Sequence, residues 1–384
     1  MNRQLLVILL LATFIALLGI GIIVPILPGL ATTLGASSLM LGMIIASFSI
    51  ARGLLQPVVG TLSDRWGRKV FLSCGLLIYC LIGLMLPQAQ SVANIIAIRI
   101  VHGVGSAMIV PIAMAYVSDM APIGQEGRYM GMLNVAIFSG IGSGPLLGGF
   151  FTDHWGMPSA FYAMSGASTL AFLLVIAKLP ALASKSPPTP RPGLIPSLRL
   201  MIATRRTRGI LVARMATMIV VVPAMAYTPL LLHQWFNASA TETGLVIAGR
   251  TLANAIMQTP FGRMAERRDK VTMLQVGCAI ISLAICLVPM TMGFWAALIL
   301  FVILGVGEAI IWPVLGALAA EEGRRYGQGT MMGAFNTAMS AGIFAGAVGA
   351  GACSDLIGLG WSFGAVGVVV LTASLWASRL IRAA

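Results

Sequence analysis

Continuous apolar runs of about 20 residues, separated by short polar segments, recur along the whole chain. Such a run is the length an α-helix needs to cross the hydrocarbon core of a bilayer. Twelve are predicted, near 5–28, 38–60, 70–88, 92–116, 127–151, 157–179, 208–232, 240–262, 271–290, 293–318, 329–352 and 359–380. Membrane strands would alternate apolar and polar positions, which these runs do not. The expected fold is an all-α integral membrane protein of twelve transmembrane helices.

Composition fits this pattern, with 58% hydrophobic and only 9% charged residues. Charge adds the orientation. Of 24 basic residues, all but Arg52, Arg99, Arg214 and Arg250 fall in the termini or in alternate loops on one side. Lys and Arg are retained on the cytoplasmic side during insertion. Both termini are therefore expected in the cytoplasm, and the location is expected to be a bacterial-type cytoplasmic (inner) membrane. The same distribution explains the net charge of +13 without a nucleic-acid partner. The first span is too long for a removed signal peptide, and no small-residue cleavage site follows it. Cys74, Cys80, Cys278, Cys286 and Cys353 all lie within or at the ends of spans and lack Cys-x-x-Cys spacing, so they suggest neither a disulfide nor a metal site.

The chain partly overlays itself at an offset of 202 residues. Gly60 meets Gly262, Gly103 and Gly105 meet Gly305 and Gly307, and Pro111 meets Pro313. Asn134, Gly140, Gly144, Gly149 and Asp153 then meet Asn336, Gly342, Gly346, Gly351 and Asp355. One offset holds without gaps from span 2 to span 5, so two pseudo-symmetric six-helix bundles are expected, over 1–179 and 208–384. Parallel repeats of this kind characterise one large transporter class, with the substrate site near mid-membrane between the repeats. The segment 180–207, with six prolines among scattered basic residues, reads as a cytoplasmic linker.

The loop after span 2 reads Gly60-Thr-Leu-Ser-Asp64-Arg65-Trp-Gly67-Arg68-Lys69. It resembles the Gly-x-Leu-x-Asp-Arg-x-Gly-Arg-Lys signature of the major facilitator superfamily. Pro25-Ile-Leu-Pro28 in span 1, Arg99-Ile-Val-His102-Gly103 in span 4, and Gly140-x-x-x-Gly144-Pro145-x-x-Gly148-Gly149 in span 5 resemble motifs of its twelve-span drug:proton antiporter branch. His102 stands where that branch usually has Gln. The resemblance implies that Gly60, Asp64, Arg65, Gly67 and Arg68 form a conformational latch, with the Asp64 carboxylate accepting free helix-start amides. It also implies that Gly140, Gly144, Pro145, Gly148 and Gly149 form the antiporter motif. Glycines one turn apart let a second helix approach closely.

Ionisable groups inside spans are costly and usually functional. Glu308 in span 10 is the only acid in the interior of any span, and a carboxyl there can take up and release a proton during transport. Arg99, with which Glu308 is expected to interact, and the titratable His102 complete the expected proton-coupling set. Arg52 and Gln56 form a polar pair on span 2, echoed by Asn254 and Gln258 on span 8, while Arg214 and Arg250 are expected to line a cavity or snorkel to an interface. Helix positions in the resembled fold nominate Arg52, Asn134, Phe138, Tyr227, Trp312 and Asn336 for substrate contact, along with Phe14.

Together these imply a proton-coupled secondary transporter that exports small amphipathic compounds by alternating access. Its partners would be a small-molecule substrate, protons and membrane lipids, and it is expected to work as a monomer. Export of one dedicated metabolite, siderophore or lipid is the alternative, with proton-coupled uptake a weaker one. No metal cluster, nucleophile elbow or phosphate-binding loop appears. An enzyme or receptor is therefore disfavoured, and no cofactor or metal is expected.

Overall fold

In a computed structural model the described residues are 3–120, 126–180, 200–326 and 328–382, and they form helices and short turns with no strand among them. The first half contains α1 (Arg3–Thr33), α2 (Ser38–Trp66), α3 (Arg68–Met85), α4 (Val92–Ala107), α5 (Val110–Met120), α6 (Glu126–Trp155) and α7 (Met157–Lys178). The second contains α8 (Arg205–Ile219), α9 (Thr228–Phe236), α10 (Ala240–Arg267), α11 (Lys270–Leu287), α12 (Phe294–Tyr326), α13 (Gln328–Ile357) and α14 (Leu359–Arg382). Most of the linker, residues 181–199, lies outside the described residues.

Two of the twelve spans are broken. Span 4 is split between α4 and α5. The Met108 amide closes a tight turn onto the Gly105 carbonyl at 3.0 Å, and Pro111 sits in the first turn of α5, where its missing N–H leaves no bond unmade. Span 7 runs from α8 into α9 through a π-helical turn at Pro223–Tyr227, where the Thr228 hydroxyl donates to the Pro223 and Ala224 carbonyls. Among the described residues, eleven spans are both long and apolar enough to cross a membrane. The twelfth, α10, has the length at 28 residues, but Glu242, Arg250, Asn254 and Gln258 lower its hydropathy.

The chain divides into two compact units. The first comprises Met1–Ala36, Ser47–Pro188 and Asn237–Ala248. In it α1 packs on α6 across the glycine stripe. A Cβ at Gly140 would sit 2.5 Å from the Phe14 carbonyl oxygen, and one at Gly144 2.5 Å from Gly21 Cα. Both obstacles are backbone, so only glycine permits this approach. The second unit comprises Ser37–Ala46, Thr189–Phe236 and Gly249–Ala384. It uses the same device, with Gly342 and Gly346 of α13 pressed on the Met215 and Ile219 carbonyls of α8.

The units differ from a simple cut at the linker because each holds the first turns of one displaced helix. In the first, Asp153 accepts the Ala240 and Thr241 amides at 3.1 and 2.8 Å. In the second, Asp355 accepts the Ser38 and Leu39 amides, both at 3.0 Å. The first N–H groups of a helix have no partner within it, and a carboxylate there is favoured by the helix dipole. Elsewhere in the second unit, buried Glu322 accepts the Thr207 hydroxyl at 2.8 Å, and Arg206 and Lys270 meet Glu321.

Candidate functional site

The second unit contains a buried ion pair. Gly305 lies one turn before Glu308 on α12 and packs directly on the Arg250 carbonyl of α10, so the two helices close to backbone contact. That approach sets Glu308 against Arg250. Arg250 Nε donates to Glu308 Oε2 at 3.1 Å, and Nη2 donates to Oε1. Asn254, one turn along α10, donates to the same Oε2 at 3.3 Å, and Gln258 one turn further donates to Asn254 at 2.7 Å. Spacing of four residues puts all three on one face of α10. Both charged side chains are about 5% exposed.

A bidentate guanidinium–carboxylate contact is among the stronger polar interactions. Removing one partner of a buried pair leaves an uncompensated charge, at about 3–5 kcal/mol. The structure thereby corrects the expected pairing. Among the described residues Glu308 pairs with Arg250, a residue of its own unit, and Arg99 is engaged elsewhere.

Arg99, 1% exposed, belongs to the first unit. Its Nη1 lies 2.9 Å from His102 Nδ1, one turn along α4, and its guanidinium lies over the Phe48 ring at 4.3 Å. The His102 imidazole meets Phe48 and Tyr79 edge-to-face, with centroids 4.9 and 4.6 Å away. Gly103 brings α4 onto the backbone of α2 at Phe48 and Arg52, which sets half-buried Arg52 beside this group.

Arg214, 6% exposed, is held by aromatic faces. Its guanidinium lies over the rings of Trp312 and Phe335 at 5.1 and 4.6 Å, and Nη2 reaches the Met339 sulfur at 3.0 Å. Two π faces partly replace the lost hydration of a buried cation. Among the nominated contact residues, Asn134 and Asn336 are exposed, and Phe138 and Trp312 are half-buried. Tyr227 is fully buried, with its hydroxyl donating to the Ser38 and Ala347 carbonyls at 3.0 and 3.2 Å. It anchors the π turn and has no donor left for a substrate in this arrangement. Gly148 packs on Ile22 and Ile26 of α1, with Pro145 inside α6, and Gly149 packs on the Ala240 carbonyl.

In the span 2–3 loop, Gly60 has open space around it, Gly67 takes φ 90° to start α3, and Arg68 is buried. The side chains of Asp64 and Arg65 lie outside the described residues, so the latch expectation stays with them. Among the described residues no group of three His, Cys, Asp or Glu side chains is placed to hold a metal.

Twelve spans, a repeat in sequence repeated in helix packing, and a charged pair inside a bundle define a membrane transporter of the duplicated type. The chain belongs to the Major Facilitator Superfamily, whose model matches residues 9–235 and 209–383. It is 30% identical over 364 residues to an uncharacterised MFS-type transporter of Methanocaldococcus jannaschii, covering 94% of each chain. It is 24% identical over 363 residues to the quinolone resistance protein NorA of Staphylococcus aureus, covering 93% of this chain and 91% of that protein. Its fold matches the crystal structure of a bacterial homologue of the human lysosomal transporter Spinster with a TM-score of 0.86 at 15% identity, covering 99% of this chain and 96% of that one. The protein is therefore a multi-pass membrane transporter and not an enzyme, and it binds small-molecule substrates.

Proposed function

We propose that the protein is a proton-coupled exporter of small amphipathic compounds, with Glu308 carrying the coupling proton and both termini in the cytoplasm of a bacterial-type inner membrane. The observation behind this reading is the Glu308–Arg250 pair. A proton arriving at Glu308 removes one of two compensating charges and leaves the Arg250 guanidinium without its carboxylate. The protonated and deprotonated forms then favour different arrangements around α10 and α12, which a coupled carrier requires. Asn254 and Gln258 extend the pair into a polar line along α10 that relays the change. NorA similarity supports the export direction. Asp64 is proposed as the cytoplasmic latch, and Asn134, Phe138, Trp312 and Asn336, with Arg52, as substrate-contacting positions.

The test is transport in proteoliposomes under an imposed pH gradient, across cationic, neutral and anionic compounds. Wild-type protein should accumulate at least one compound against its gradient, and Glu308→Gln should abolish accumulation while still allowing downhill exchange. Full proton-driven accumulation by Glu308→Gln would remove Glu308 from the coupling role. Asp64→Asn should insert normally but transport more slowly, through a shifted conformational equilibrium. Wild-type rates in that variant would reject the latch.

A further inference from the structure

The buried arginines of the two units are answered differently. In the second, Arg250 has its carboxylate and Arg214 lies over the rings of Trp312 and Phe335. In the first, Arg52 and Arg99 lie within spans, and the acids of that unit all lie at or beyond span ends. A charged arginine inside the membrane is costly, so two without a carboxylate call for a compensating group.

The unmet hydrogen-bonding groups around Arg99 are mostly donors, the Ser106 hydroxyl being the exception. A guanidinium only donates, so the Arg99–His102 contact makes Nδ1 of the imidazole the acceptor. The ring proton then sits on Nε2, which is buried and has no partner among the described residues. Arg99 Nε and Arg52 Nε are likewise buried donors without a partner. Arg99 and His102 are 1% and 0% exposed. Buried polar groups in folded proteins are nearly always satisfied. Three unmet N–H donors, two of them on cations, leave a deficit that water answers poorly and an anionic acceptor answers well.

We propose that Arg52, Arg99 and His102 form the binding site for the carboxylate of an amphipathic organic acid. The guanidinium edges and imidazole N–H receive the oxygens, while the rings of Phe48 and Tyr79 beside them suit the apolar part of the same molecule. A free inorganic anion or short carboxylate satisfies the donors equally but gains nothing from the rings. Half-buried Arg52 marks the side from which the ligand reaches the group. This inference rests on the reading of the chain as an exporter of small amphipathic compounds, and it narrows their class to those carrying an anionic group.

Purified protein in detergent would be titrated calorimetrically with benzoate, benzamide, acetate and chloride at constant ionic strength. Benzoate should bind saturably, acetate and chloride at least about tenfold more weakly, and benzamide not measurably, the ratio expected for losing a charge-assisted hydrogen bond or its apolar partner. Arg99→Gln and Arg52→Gln should each weaken benzoate about tenfold. Should Arg99→Gln fail to fold, Arg52→Gln carries the test, because its side chain is only half-buried. Benzamide binding as tightly as benzoate, or unchanged benzoate affinity in Arg52→Gln, overturns the site. Equal affinity for chloride, acetate and benzoate overturns the organic acid and leaves a small-anion site. Absent benzoate binding with intact pH-driven export of other compounds removes this inference alone. Intact benzoate binding with no pH-driven flux of any compound removes the exporter reading.

Discussion

Asp153 and Asp355 stand 202 residues apart and perform the same task, each accepting the first two free amides of a helix that begins far away in sequence. Their clients, Ala240 and Ser38, are themselves separated by the same offset. The repeat thus extends beyond residue identity to a shared bond.

Replacing either carboxylate should loosen only its own helix start. Asp153→Ala should cost about 1–2 kcal/mol, combining a lost cap with a lost charge at a helix N-terminus. Hydrogen exchange at residues 240–242 should accelerate while 38–40 is unchanged, and Asp355→Ala should show the reverse. The pairs share no partner, so the two losses should add. Acceleration at both places in either single variant would show that the caps are not independent.

Structure and coupling at Glu308 can be separated by a double substitution. Glu308→Gln leaves Arg250 buried without its countercharge and should lower thermal stability as well as abolish coupling. Adding Arg250→Met replaces the remaining cation with an apolar side chain, which buried pairs often tolerate. The double variant should regain most of the lost stability in a thermal melt yet remain uncoupled. Recovery of pH-driven accumulation in the double variant would show that neither residue carries the proton.

The glycine stripe allows a paired comparison. Gly144→Ala forces a methyl group into the backbone of Gly21 and Leu18 and should cost about 1–3 kcal/mol. Gly166→Ala meets nothing within 4 Å and should be neutral or up to about 1 kcal/mol stabilising through helix propensity. Similar thermal stability for the two variants would contradict the close packing of α1 on α6.

At the start of α11 the Asp269 carboxylate accepts the Thr272 hydroxyl at 2.6 Å and its amide at 2.8 Å. These bonds, the hydroxyl foremost, hold its carboxyl below the usual range. A depressed folded-state value means the stabilisation is complete above the unfolded value of about 3.9 and fades as pH falls through the folded value. Asp269→Ala should therefore cost a constant amount, about 1 kcal/mol, from pH 7 to pH 5, and less below about pH 4. A cost that shrinks already between pH 7 and 5 would contradict the sign.

The apolar runs gave the spans, and the glycine spacing gave a close helix contact at span 5, because both depend on local composition and spacing; that span 1 makes that contact was not legible. Glu308 was legible as the lone acid inside a span. Its partner was not. Four arginines lay inside or at the ends of spans, and choosing Arg250 depends on the rotation of α10 and α12 about their contact at Gly305. The aromatic neighbours of Arg214 come from 98 and 121 residues away, beyond any local pattern. Pro111 and Pro223 were the available signals for the breaks in spans 4 and 7, yet Pro313, the repeat mate of Pro111, lies within continuous α12.

Duplication left this chain with an internal ancestor-free comparison of its two copies. Where a feature is set by backbone geometry, as at Gly144 and Gly346 or Asp153 and Asp355, the copies agree. Where it is carried by a charged side chain inside a span, they have parted. Phe48 and Ser106 occupy the places that Arg250 and Glu308 occupy 202 residues later. The second copy therefore holds a self-neutralised acid and base at places where the first has an aromatic ring and a hydroxyl. The scaffold was copied, and the chemistry diverged on it.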